Sequence, residues 1–121
     1  MILRRFAAAT LLLALVAAPV LLAAADIRSQ ARAAVEFGIS VAQRGLWKEA
    51  IYRWEDAVRI DPTYAAAYND LAIAYEHEGQ FEKARGAYEK ALELEPDNQL
   101  IKQNYELFKE INDRTKSGST R

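Results

Sequence analysis

The sequence predicts an all-α protein built from antiparallel helix pairs, and three observations lead to this fold class. Residues 31–98 consist of two 34-residue copies that align without a gap. Apolar residues recur within each copy at the three- and four-residue spacing of one helix face. Glycine and proline recur at matching positions of both copies, where they end the predicted helices. A repeat of this length indicates stacked helix pairs.

The two copies, residues 31–64 and 65–98, agree at the positions that determine helix packing. The aligned pairs are Gly45 with Gly79, Trp47 with Phe81, Ala50 with Ala84, Trp54 with Tyr88, Ala57 with Ala91, and Pro62 with Pro96. Alanine allows two helices to cross closely, and a larger side chain there would overpack the contact. The aromatic residues are predicted to fill the gaps between helices, so the charged residues around both tryptophans are interpreted as the solvated side of a packing helix.

The second copy shows the helix signals most clearly. Tyr68, Leu71, Ala72 and Tyr75 follow the pattern i, i+3, i+4, i+7 and form one apolar face. Gly79 is predicted to end this helix, because glycine adopts the left-handed conformation of a helix C-terminus without steric cost. Pro62 and Pro96 are likewise predicted to follow helix ends, since the residue before proline is disfavoured in a helix.

These positions resemble the tetratricopeptide repeat, whose pattern W-x2-L-G-x2-Y…A-x3-F…P describes a helix–turn–helix of 34 residues. The second copy matches it at Tyr68, Leu71, Ala72, Tyr75, Ala84, Tyr88, Ala91 and Pro96, and the first at Phe37, Gly38, Ala50, Trp54, Ala57 and Pro62. The first copy departs from it at Ala34 and Val41, where aromatic residues are usual. The resemblance implies a tetratricopeptide domain over residues 26–113 whose repeats bind a protein or peptide partner.

The chain is predicted to end in a capping helix and a tail. Residues 99–113 form an amphipathic pattern, and residues 114–121 lack apolar side chains and are expected to be flexible. The apolar positions of the capping helix are Leu100, Ile101, Tyr105, Phe108 and Ile111. Because roughly three repeats are usually needed for a stable solenoid, self-association is an alternative to a monomer.

Residues 1–25 have the composition of a secretory signal peptide or of an N-terminal membrane anchor. Arg4 and Arg5 precede an apolar run, Pro19 is expected to end the helix, and the alanines at 23–25 suit a signal peptidase. The alternative is an uncleaved anchor, since Phe6 to Ala25 is long enough to span a bilayer. Either interpretation places residues 26–121 outside the cytoplasm, in the periplasm or secreted, or anchored there by the first helix.

Composition and motifs argue against catalysis, cofactors and nucleic acid. The chain has no cysteine, and its one histidine, His77, has no partner to form a metal site, so no catalytic, cofactor-binding or metal-binding residue is predicted. All 17 Asp and Glu lie at or after Asp26, and residues 26–121 carry a net charge of −3. A weakly acidic body lacks the basic surface that a nucleic acid partner requires.

The resemblance implies a concave groove lined by the first helix of each repeat. The groove residues that packing does not require are Val35, Ile39, Gln43, Asn69, Asp70, Ile73, His77, Gln103 and Asn104, together with Ala42 and Leu107. Because Val35, Ile39 and Asp70 stand where related proteins carry basic clamps, no clamp for acidic tails is expected. The function predicted is an adaptor or assembly factor that binds a peptide or helix of an envelope or secreted partner. The alternative is a structural subunit that stacks on itself or on a larger partner.

Overall fold

The computed structural model of the chain describes the backbone of residues 2–119 and the side chains of residues 18–119. Within these residues the chain forms five α-helices joined by short turns. They are α1 (Ile2–Ala42), α2 (Trp47–Ile60), α3 (Ala65–His77), α4 (Phe81–Leu94) and α5 (Gln99–Gly118). The helix α1 packs against α2 and α3 against α4, and α2 also contacts α3. The predicted all-α fold of antiparallel helix pairs is therefore confirmed.

The first helix is longer than the sequence predicts. Pro19 was expected to end a helical segment, but it lies inside α1, which continues to Ala42. This expectation is wrong for a physical reason. A proline inside a helix removes one N–H donor and costs about 3 kcal/mol, but the alanine and leucine residues on both sides are strong helix formers.

The side chains of residues 18–27 are exposed, with Val20, Leu21 and Leu22 each at least 65% exposed. Across the part of the chain that the structure describes, no helix has both the length and the apolar character required to cross a membrane. The signal or anchor expected at residues 1–25 falls largely on residues 1–17, whose side chains lie outside the description.

The two turns within the helix pairs have the same construction. Gly45 has a φ of 78° and Gly79 a φ of 73°, the left-handed conformation predicted for Gly79. The residue after each glycine donates its N–H across the helix end: Leu46 to the carbonyl of Val41, and Gln80 to that of Tyr75. These bonds satisfy carbonyls that the helix end would otherwise leave without a donor.

Small residues hold the helix pairs together as the alignment predicts. Ala50, Ala57, Ala84 and Ala91 are fully buried. Trp54 is 4% exposed and Tyr88 1%, so both aromatic positions of the repeat lie in the core. The polar groups of these two rings have different partners. The Trp54 indole donates to the backbone carbonyl of Val35 at 3.1 Å, whereas the Tyr88 hydroxyl donates to Glu76 at 3.1 Å.

The last helix packs with a different face than the sequence predicts. It buries Ile101 and Phe108, and Phe108 lies beside Tyr88 with ring centroids 5.5 Å apart. Leu100 and Ile111, which were also expected on the packed face, are 61% and 49% exposed. At about 100° per residue, Leu100 and Ile111 lie about 100° and about 80° round the helix from Ile101, and Phe108 only about 20°. Leu100 and Ile111 therefore lie at the edge of the packed face, where solvent reaches them.

The boundary expected at residue 113 is also wrong, because α5 continues to Gly118. An i, i+4 ion pair between Arg114 and Glu110 spans this boundary. The Thr115 hydroxyl donates to the Ile111 carbonyl at 2.9 Å and so bonds within the helix. These contacts extend the helix through residues that lack apolar side chains.

Candidate functional site

A cavity of about 290 Å³ opens between the first three helices. It is lined by Ile39, Ala42 and Gln43 from the end of α1, by Trp47 and Trp54 of α2, and by Asp70 and Ile73 of α3. The structure thus brings together four of the predicted groove residues: Ile39, Gln43, Asp70 and Ile73. Most of the lining is apolar, and Asp70 is the one residue in it that titrates near neutral pH. We call this space the α1–α3 cavity.

Close helix contact positions the Trp54 wall of the α1–α3 cavity. Gly38 of α1 lies against the indole, and a Cβ atom at this position would be 2.3 Å from the Trp54 Nε1. The indole then donates its N–H to the Val35 carbonyl at 3.1 Å. Because one helix supplies both the glycine and the acceptor, the orientation of this ring is fixed by α1.

Val35 itself does not line the groove. Its side chain is 5% exposed and belongs to the main hydrophobic core. The sequence-based assignment of Val35 to the groove is therefore corrected. It failed because Val35 lies four residues after Ala31 and three before Gly38, on the face of α1 that packs into the core.

An aromatic stack borders the cavity. The rings of Trp47 and His77 lie 4.1 Å apart with an interplanar angle of 21°. His77 is exposed at the end of α3, and with Ile73 and Glu76 it lines an adjoining hollow, also of about 290 Å³. His77 thus joins the same surface as the α1–α3 cavity, where Ile73 belongs to both spaces.

A hydrogen bond from α5 holds the residue next to Asp70. Asn104 of α5 donates its side-chain N–H to the Oδ1 of Asn69 at 3.1 Å. The Asn69 side chain acts on the neighbouring Asp70 and lowers its pKa, against the larger effect of burial. Asn69 is 5% exposed and is therefore not itself available to a partner, contrary to the prediction. Its burial follows from the contact with α5, which the repeat pattern does not specify.

The surroundings of Asp70 alter its acidity. Burial removes water from the carboxylate and raises its pKa from 3.8 to about 6, against the opposing effect of the Asn69 hydrogen bond. Desolvation disfavours the charged form because the apolar lining cannot replace lost hydration. Among the described residues, no ion pair involves Asp70.

The remaining predicted residues lie on α5, outside the lining of the α1–α3 cavity. Gln103 is exposed on α5, and Asn104 is half-buried one residue further along. The sequence also missed two contributors, Trp47 and Trp54, which it assigned to packing alone. A signal was present, since tryptophan replaces the smaller rings of Phe81 and Tyr88 in the second copy and provides additional ring surface.

The chemistry of the cavity suits binding. The described residues contain no group of three or more His, Asp or Glu side chains able to hold a metal ion. The lining combines apolar surface, two indoles, an amide and one carboxylate, the mixture that fixes and orients a bound group.

Comparisons with known proteins find the repeat in two places. The family model described as "Tetratricopeptide repeat" matches residues 65–98, and the one described as "TPR repeat" matches residues 41–79. The first of these ranges coincides with the second sequence copy. The two matches together span the cavity residues from Ala42 to Ile73.

Several known proteins share this region. The chain is 34% identical over 67 residues to Protein O-mannosyl-transferase TMTC1 of Mus musculus, a match that covers 55% of the chain and 7% of the relative. It is 37% identical over 65 residues to Small glutamine-rich tetratricopeptide repeat-containing protein 2 of Saccharomyces cerevisiae (52% and 19%). It is 40% identical over 48 residues to TPR repeat-containing protein YpiA of Bacillus subtilis (40% and 11%). The matched region thus spans less than a fifth of each of these relatives.

Proposed function

Since the chain is a tetratricopeptide repeat protein, and such repeats are protein–protein interaction modules, we propose that it binds a peptide or helix of a partner protein across the α1–α3 cavity. The observation that carries this proposal is the convergence of α1, α2 and α3 on one apolar space that the core packing leaves open. The match to the mouse transferase covers only 7% of that protein and gives no support for a transferase activity of this chain.

The surface around the cavity supports an extended contact. Ile39 is 41% exposed at its edge although it is a large apolar residue. The Trp47–His77 stack continues the surface along α3. Apolar anchors flanked by polar groups are the usual composition of a peptide-binding groove, where few residues supply most of the binding energy.

Peptide selection followed by matched variants tests this proposal. Peptides selected from a displayed library on the wild-type protein are measured against Ile39→Lys, which places a positive charge at the cavity, and Leu100→Lys, which places the same charge on an exposed leucine of α5. We expect Ile39→Lys to weaken binding at least tenfold, about 1.4 kcal/mol, and Leu100→Lys to leave it within about twofold. Equal effects of the two variants would refute a site at the α1–α3 cavity.

A second candidate function follows from the exposed face of α5. Leu100, Leu107 and Ile111 are 61%, 57% and 49% exposed and follow one another at helical spacing. Terminal repeats of a solenoid usually present a polar outer face, so this apolar stripe favours stacking on a second copy or on a larger partner. Sedimentation of the wild type and of the double variant Leu107→Lys/Ile111→Lys tests this function. If the chain stacks on itself, the wild type sediments with a mass larger than that of one chain, and the double variant sediments as a monomer.

We further propose that the domain acts outside the cytoplasm. The support lies in Arg4, Arg5, the apolar run after them and the alanines at 23–25. Arg28, which pairs α1 with Asp61 in the turn after α2, lies after the expected cleavage position. N-terminal sequencing of the protein from fractionated cells tests this: cleavage requires an Asp26 start, and an intact Met1 in the membrane fraction indicates an anchor instead.

A further inference from the structure

The α1–α3 cavity contains a carboxylate that lacks a counter-ion. Asp70 lies there among Ile39, Ala42 and Ile73, which offer it no hydrogen bond from their side chains. The eight ion pairs described for residues 18–119 leave Asp70 out. Charged groups in apolar surroundings are costly unless an opposite charge accompanies them. The described residues 18–119 therefore leave Asp70 without a positively charged partner, which a bound group can supply.

The polar residues near Asp70 carry no positive charge. Asn69, which accepts a hydrogen bond from Asn104, is the neighbour that lowers the pKa of Asp70, and both asparagines are neutral amides. Within the cavity lining, Gln43 is the other side chain with an amide, and it is also neutral.

The walls of the cavity offer both aromatic surface for a cation and apolar surface for a methylene chain attached to it. The indoles of Trp47 and Trp54 are the two tryptophans of the chain, and both line the cavity. Indole is the side chain whose π-system attracts cations most strongly. Ile39 and Ile73 offer apolar surface to a methylene chain. A volume of about 290 Å³ lies at the lower limit of small-ligand sites, so it suits a single side chain rather than a large ligand.

We propose that the α1–α3 cavity binds one cationic side chain, a lysine or an arginine, of the protein partner. The aliphatic part of that side chain lies against the isoleucines and indoles, and its charged group meets the carboxylate of Asp70. This proposal rests on the proposed function, because it specifies the chemistry of the partner at the same site. It differs from recognition of an acidic tail, which Asp70 would repel.

Small cations that imitate the two side chains test the proposal on the full chain. The probes are n-butylammonium for lysine, n-propylguanidinium for arginine, and n-butanol as an uncharged control, each added at constant ionic strength. The indole N–H resonances of Trp47 and Trp54 report binding directly, because no other tryptophan is present. We expect saturable shifts of both resonances with at least one cation, and at least tenfold weaker binding of butanol.

Matched variants identify the role of the charge. Asp70→Asn keeps the size of the side chain and removes its charge, while Asp56→Asn makes the same change at a surface residue paired with Arg59. Asp70→Asn should weaken cation binding at least tenfold, and Asp56→Asn should leave it within about twofold. Equal binding to Asp70→Asn, or butanol binding as tightly as the cations, would overturn the proposal.

The outcomes separate this inference from the proposed function. Selected peptides can bind at the cavity with an affinity that neither Asp70→Asn nor the replacement of every lysine and arginine in the peptide reduces. In that case the cavity binds an uncharged group, and this inference fails while the proposed function stands. If the cations bind at the indoles but Ile39→Lys leaves peptide binding unchanged, the proposed function fails while the cation site stands.

Discussion

Gly38 and Trp54 fit each other so closely that the absence of a side chain at Gly38 is a condition of the fold. A Cβ atom at Gly38 would lie 2.3 Å from the Trp54 Nε1 and 2.7 Å from its Cδ1, well inside contact distance. The indole cannot easily move away, because it is 4% exposed and donates a hydrogen bond to Val35. This contact fixes α1 on α2 and one wall of the α1–α3 cavity.

The first prediction concerns this contact. Gly38→Ala should lower the free energy of unfolding by about 1–3 kcal/mol, because overpacking outweighs the gain in helix propensity. Gly86→Ala is the matched control, since Gly86 is also helical but has no atom within 4 Å of its Cβ position. That variant should raise stability by up to about 1 kcal/mol. Urea denaturation followed by circular dichroism measures both, and a stabilising Gly38→Ala would contradict the contact.

The second prediction concerns Asp70 and pH. Burial raises its pKa to about 6 from 3.8, so the folded state holds the proton more tightly than the unfolded state. Stability is therefore favoured below pH 4 and is lost as the pH rises through about 6. Asp70→Asn should be more stable than the wild type by about 1–3 kcal/mol near pH 7, and the difference should shrink near pH 4. A constant difference between the two pH values would contradict the perturbed acid.

The third prediction concerns the ion pair that joins α1 to the turn after α2. Arg28 pairs with Asp61, and Asp61 also accepts from the Thr63 N–H at 3.0 Å. Burial alone would raise the pKa of Asp61, but the hydrogen bonds from Thr63 and Arg28 outweigh it and lower the pKa. The pair thus stabilises the fold above about pH 4 and loses this effect as the pH falls through the lowered pKa.

Arg28→Ala should accordingly cost about 1 kcal/mol near pH 7, since the arginine is partly exposed, and less near pH 2. Arg32→Ala, an exposed arginine one turn later in α1, serves as the control and should change stability by less than about 0.5 kcal/mol. Thermal denaturation of the three proteins compares them. If Arg28→Ala and Arg32→Ala had the same effect, the link between α1 and the turn would not matter for stability.

The fourth prediction concerns the hydrogen-bonded asparagines. Asn104→Ala removes the N–H that donates to Asn69. The Oδ1 of Asn69, a side chain that is only 5% exposed, then lacks this hydrogen bond, and the free energy of unfolding should fall by about 1–3 kcal/mol. Gln103→Ala, its exposed neighbour on α5, should have little effect. Chemical denaturation distinguishes them. Equal stability of the two variants would mean that α5 does not position Asn69.

The repeat could be predicted from the sequence because its signals are local. Gly79 needs only its own backbone freedom to end a helix, and the buried alanines Ala50 and Ala84 recur at fixed spacing. The α1–α3 cavity was predicted in part, through Ile39, Gln43, Asp70 and Ile73. Helical period alone places these side chains on one face of the first helix of each repeat.

What could not be predicted depends on contacts between distant residues. Trp54 donates to the carbonyl of Val35, 19 positions earlier, and Asn104 of α5 donates to the side chain of Asn69, 35 positions earlier. Nothing in the local pattern marks either pair. Pro19 shows the opposite error, since a local rule predicted a helix end that the helix-forming residues on both sides override.

The affinity of one selected peptide for the wild type, Ile39→Lys and Leu100→Lys tests the central claim most directly. The claim is that the space between α1 and α3 is the protein-binding site. If so, the dissociation constant rises at least tenfold for Ile39→Lys and stays within about twofold for Leu100→Lys, while both variants keep the helical content of the wild type. A dissociation constant unchanged by Ile39→Lys, or raised by Leu100→Lys instead, would contradict it.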